Sequence, residues 1–171
     1  MSNKNGFQCS RCEQYHDELP LAYGPEAPAI YFSIPAEEVS ERTMLSPDLC
    51  VIDQEHFFLC GNLELPIIDS DQLFSWDVWV SVSKENFKKT LDQWENPERD
   101  QQPPMFGLIA TTLPTYPDSQ NLKANIHPRA VGRKPFIELE PTDHPLAVEQ
   151  REGIPLTRVQ EIAELILHGG D

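Results

Sequence analysis

No stretch of this sequence approaches the roughly 18 consecutive apolar residues that a membrane-crossing helix requires, so no membrane span is expected. The opening MSNKNGFQCS has no apolar run of the kind a secretory signal carries, so export is not expected either. Positive charge is scarce. Thirteen Lys and Arg stand against 28 Asp and Glu, a formal net charge of −15. A chain this acidic is repelled by phosphate backbones, which argues against nucleic acid as a partner, and it steers basic proteins toward itself. Cysteine is sparse, at four residues. In the reducing cytoplasm, the compartment these absences imply, so few thiols point to metal ligation rather than a disulfide framework.

The signatures of common chemistry are also missing. There is no P-loop, G-x-G-x-x-G, G-x-S-x-G or EF-hand loop. There is no H-E-x-x-H, and no deaminase pairing of H-x-E with P-C-x-x-C. Proline, by contrast, is abundant at 16 residues, about twice the usual ~5% usage, which predicts many ordered loops and interrupted helices. The hydrophobic content of 39% suffices for a core. A length of 171 residues fits one domain, 1–171, with residues 1–24 packed on it as a metal-binding segment.

The clearest local signal is CSRCEQYH at 9–16. Cys9 and Cys12 have the C-x2-C spacing that lets two thiolates meet one ion from a single turn, and His16 follows four residues on. If 12–16 is helical, Cys12 and His16 share a face. Structural zinc takes four ligands, and the fourth is expected from Cys50 or Cys60, with His56 a weaker candidate. A three-residue loop between LCVID (49–53) and HFFLCGNLELPI (56–67) sets Cys50 opposite Cys60; a two-residue loop makes them a diagonal pair.

Elsewhere the pattern reads as strands joined by turns, with helices set apart. Residues 1–8 read as a flexible lead, and AIYFSI (29–34) as a strand followed by a short helix over 35–45. FSWDVWVSVS (74–83) alternates, with Phe74, Trp76, Val78, Val80 and Val82 on one face. Ser83 is placed to cap a helix over 84–95. Strands are also expected at 105–113, 122–127 and 134–140. The final helix carries Val159, Ile162, Ala163, Ile166 and Leu167 on one face, with a T-x-x-Q capping box at Thr157 and Gln160 and a closing Gly169. The fold class is therefore α+β, a mainly antiparallel sheet with flanking helices and an N-terminal zinc-knuckle-like segment.

Trp79 stands on the polar face of its strand beside Asp77. If strands 74–83 and 122–127 lie in one sheet, Asp77, Trp79 and His127 line a common cleft as a binding surface; the other reading is that the helix after Ser83 folds back and covers the indole. Arg129, Arg133 and Lys134 form a local basic segment, read either as ion pairs with nearby glutamates or as an anion site. His144, before Pro145, reads as structural.

Several stretches resemble a bacterial family, domain of unknown function 2199. They are C-x2-C-x3-H at 9–16 running into LPL (19–21), SPDLCVID-x2-HFF (46–58), LELPI (63–67), FSWDVWVSVSKENF (74–87), MFGL (105–108), YPDSQNLK (116–123) and LEPTDHPLAVEQREGI (139–154). The resemblance implies a single small cytosolic domain and carries no catalytic residue. The family pattern has arginine where this chain has Cys60, while Cys50 matches, which by resemblance favours Cys50 as the fourth ligand. The expected function is binding of another protein by a domain held with structural zinc on Cys9, Cys12, His16 and Cys50. The alternative is a metal-dependent hydrolase-type enzyme that keeps one zinc position open.

Overall fold

A computed structural model describes residues 6–16 and 19–168. Gly169 and Asp17 lie outside the described residues. In chain order the strands begin with β1 (Phe7–Gln8), β2 (Tyr15–His16) and β3 (Ala22–Tyr23). The single-turn helix α1 (Val39–Arg42) precedes β4 (Thr43–Leu45), β5 (Leu49–Ile52), β6 (His56–Pro66) and β7 (Leu73–Val82). Helix α2 (Lys84–Asp92) is followed by β8 (Met105–Ile109), β9 (Lys123–His127) and β10 (Phe136–Leu139). Helices α3 (Pro145–Glu152) and α4 (Leu156–Leu167) complete the chain.

The class is α+β, but the sheet is not an open antiparallel one. Strands β6, β7, β8, β9 and β10 pair in turn, and β10 returns to β6 in parallel at Phe136 opposite Asn62, closing a five-stranded barrel. A second parallel pairing adds β3 to β7, and β5 and β4 extend antiparallel from β6. The alternation read in 74–83 supplies the interior: Phe74, Trp76, Val78, Val80 and Val82 face inward opposite Leu65, Leu63, Gly61, Leu59 and Phe57. Gly61 is required at the seam. A Cβ there would stand 2.5 Å from the Ile137 side chain, so any larger residue pushes β10 off β6. Helices α3 and α4 contribute Leu146, Ala147, Val159, Ile162 and Ala163 to the same core.

Several elements follow the sequence closely. The Ser83 hydroxyl accepts from the Asn86 N–H at 3.0 Å and caps α2, which ends earlier than expected, at Asp92. His144 caps α3 through its own ring, Nδ1 accepting from the Leu146 N–H at 3.1 Å. Others differ. Phe7, assigned to a flexible lead, is 2% exposed. Residues 29–33 form a 3-10 turn rather than a strand, because Pro28 and Pro35 bracket them and the Tyr31 N–H bonds back to Pro28 O. Helix α4 does not use a Thr157–Gln160 box. It starts two residues earlier, after Pro155, and the Asp69 carboxylate accepts from the Leu156 N–H at 2.9 Å.

Candidate metal centre

The 9–16 segment is a hairpin, not a helix. Phe7 pairs with His16 and Gln8 with Tyr15. Between them the chain turns tightly: the Cys9 N–H donates to Gln14 O, the Glu13 N–H to Cys9 O, and Gln8 Nε2 to Glu13 O. Glu13 takes φ 61, the left-handed conformation the turn demands. This geometry, not a shared helical face, sets Cys12 Sγ 3.3 Å from His16 Nε2. The Phe7 ring packs on the His16 imidazole with centroids 5.1 Å apart and restrains its orientation.

The fourth donor comes from the far end of the chain. His168, immediately after α4, places Nε2 3.2 Å from Cys9 Sγ across 159 residues of sequence. Glu164 lies one helical turn earlier, and its carboxylate accepts from the Ser10 N–H at 2.7 Å and the Ser10 hydroxyl at 2.8 Å. Helix α4 therefore grips the knuckle twice, through Glu164 and His168. The Ser10 N–H and then its hydroxyl hold the Glu164 carboxyl below its ordinary value.

Donor atoms of Cys9, Cys12, His16 and His168 all lie within 4.8 Å of one another. A tetrahedral zinc with bonds of about 2.3 Å to sulfur and about 2.0 Å to nitrogen has S···N edges of about 3.5 Å. Two of the S···N pairs, at 3.2 and 3.3 Å, are near that edge. Burial pushes the Cys9 thiol up, but the N–H groups of Cys12 and Arg11 and the Cys12 thiol all hydrogen-bond to its sulfur. The balance lies below the ordinary thiol value, which favours the thiolate a metal requires. Two thiolates and two imidazoles suit zinc.

Cys50 is not part of this group. It lies on β5 opposite Phe58, fully buried, in a separate apolar cluster with Ile52, Phe58, Cys60 and Trp79. The loop 53–55 has three residues, yet it pairs Ile52 with His56 and Cys50 with Phe58, so Cys50 and Cys60 are diagonal and not opposite as expected for that loop length. Burial pushes the Cys50 thiol up to about 11 and, with smaller charge effects, Cys60 to about 12, so both stay protonated hydrophobes. His56 is exposed at the start of β6 and also stands outside the group.

The surface expected from Asp77, Trp79 and His127 does not form a cleft. Strands β7 and β9 do lie in one sheet, but they are not neighbours in it: β8 separates them on one side, β6 and β10 on the other. Trp79 is 1% exposed, with Nε1 donating to Pro25 O at 3.1 Å. What covers it is Tyr31 and Ile34 of the proline-rich segment, not α2. Asp77 accepts from Asn62 Nδ2 at 2.6 Å, and His127 pairs with Glu138 at 3.0 Å.

Fold and site together define an α+β protein built on a closed five-stranded barrel, with a Cys2His2 cluster tying its two ends. The chain belongs to the domain of unknown function 2199 family, described as an uncharacterized protein conserved in bacteria, which it matches over residues 8–154. That span holds Cys9, Cys12 and His16 and ends before α4, so His168 lies outside it. No curated protein and no solved structure matches the chain. The sequence signal for His168 was available but faint: a histidine four residues after a glutamate at the end of an amphipathic helix.

Proposed function

We propose that this is a cytosolic zinc protein whose metal is structural and whose role is to bind another protein. The observation that carries the structural reading is the convergence of four donors from both ends of the chain. Four protein ligands complete a tetrahedral shell, whereas a catalytic zinc keeps one position for water or substrate. The set therefore favours the structural reading over the hydrolase-type alternative. Zinc would be held by Cys9, Cys12, His16 and His168, and its binding would fasten the 9–16 hairpin to α4. In a single domain of this size that closure supports the barrel from outside. The net charge of −15 supports a basic protein as partner rather than nucleic acid.

Elemental analysis of protein purified without chelator tests the metal: one zinc per chain is expected. A stoichiometry near zero after expression with zinc supplied would refute the reading. For the partner, crosslinking in intact cells should recover a basic protein whose association with the purified chain weakens as salt rises. Purified candidates that bind equally at all salt concentrations would count against charge steering.

A further inference from the structure

The mouth of the barrel opens into a cavity of about 710 Å³. Leu59, Met105 and Ile126 contribute to its lining from β6, β8 and β9. Helix α2 and the loops 93–104 and 128–135 form its walls, with Trp94 and Phe106 supplying flat aromatic surface. Phe106 is 49% exposed and covered by nothing else described.

The charge around this cavity runs against that of the chain. Lys89, Arg99, Arg129, Arg133 and Lys134 line it, five of the 13 cations, while Asp48, Asp92 and Glu95 are three of the 28 acids. Two of the five are already paired with carboxylates: Arg129 with Glu64 at 3.2 Å and Lys134 with Asp48 at 2.8 Å. Lys89 meets Glu85 only at 3.8 Å, on an exposed helix face. Arg99 has no carboxylate partner among the described residues. It donates to the carbonyls of Trp94, Arg129, Ala130 and Arg133, and its guanidinium lies over the Trp94 ring at 5.3 Å. Three of those bonds, to Arg129, Ala130 and Arg133, staple one wall loop to the other, so the cavity is held open before any ligand arrives. The Arg133 side chain is exposed and has no ion pair or hydrogen bond among the described residues.

From this geometry we infer that the barrel mouth binds a small organic anion: a carboxylate or phosphate on a flat, apolar body. The body stacks against Trp94 and reaches toward Met105 and Ile126. The anionic group sits at Arg133, with the positive field of Arg99 behind it. The inference is independent of the metal reading, since no cavity residue belongs to the Cys2His2 group.

The test uses the full chain and two fluorescent probes sharing one aromatic body, 1-anilinonaphthalene-8-sulfonate and the neutral N-phenyl-1-naphthylamine. The sulfonate is expected to bind saturably at one site per chain, and the neutral dye at least tenfold more weakly. Arg133→Ala, an exposed change that removes no internal contact, should weaken sulfonate binding about tenfold. Thr90→Trp fills the cavity from α2 and should abolish it, with circular dichroism confirming the fold. Displacement of the probe by 1-naphthoate or by 1-naphthyl phosphate identifies the preferred head group and supports the site in either case. Equal affinity for both dyes, displacement by neutral 1-naphthol alone, or sulfonate binding unchanged in both variants would each overturn the proposal.

Discussion

Replacing His168 with alanine is the sharpest test of how the two chain ends are joined. The substitution removes one of four donors and the only one contributed by α4. Cys9 and His168 are 159 residues apart, so a metal bridging them closes nearly the whole chain into a ring. In the chain-entropy treatment of cross-links, closing a ring of that length removes ~5 kcal/mol of denatured-state freedom. At about 2–4 °C of Tm per kcal/mol for a chain of this size, that is a ceiling of ~10–20 °C. The ceiling is not fully reached, because unfolded thiols and imidazoles retain some affinity for the ion. Calorimetry with and without chelator is the assay. Chelator should lower the Tm of the native protein by several degrees and leave that of His168→Ala nearly unchanged, since the variant has already lost the bridge. Zinc content after dialysis against a weak chelator should fall well below one per chain in the variant. Full zinc retention, or a chelator effect as large in the variant as in the parent, would refute His168 as a ligand and the ring closure with it.

Cys50→Ser should leave zinc stoichiometry untouched while costing about 1–3 kcal/mol in urea denaturation, because it places a hydroxyl in the fully apolar cluster around Trp79. Loss of zinc in that variant would restore Cys50 to the ligand set. Acidification should release zinc as thiolates and imidazoles take up protons, measurable with a chromogenic zinc indicator. Glu164 adds to the same acid limb. Its carboxyl is held below the ordinary value by Ser10, so its contribution is complete above the usual carboxylate range and is lost as the pH falls through the lowered folded value. Glu164→Gln should therefore flatten the acid side of the stability profile, and an unchanged profile would contradict the role given to Ser10. Arg158→Met should cost about 3 kcal/mol, since it strands Glu149, whose side chain is only 18% exposed and also accepts from the Tyr116 hydroxyl. A loss of only a few tenths would show that this pair behaves as a surface ion pair.

The parts of the molecule legible in the sequence are those encoded within one or two turns of chain. The alternation of Phe74 to Val82 and the oxygen of Ser83 before a helical run are local statements, and the structure carries both. The C-x2-C-x3-H pattern likewise placed three of the four donors. Misreadings arose where local composition was overruled by partners. Ala29–Ser33 is rich in strand-forming residues but pairs with no strand among the described residues, and flanking prolines turn it against the cluster that holds Trp79. The Thr157–Gln160 pattern satisfied the capping rule, yet Asp69, a residue from a distant loop, reached the first free N–H instead.

Two features belonged to the tertiary structure alone. Whether the sheet stays open or closes depends on β10 meeting β6 in parallel, a pairing between residues more than seventy positions apart that needs Gly61 bare beneath Ile137. Whether Cys50 or His168 completes the cluster depends on which surface the 9–16 hairpin docks against. Hydrophobic period and capping chemistry act over a few residues and can be read along the chain. Barrel closure and a four-donor cluster are set by which distant segments pack together, and that is decided only when the whole core forms.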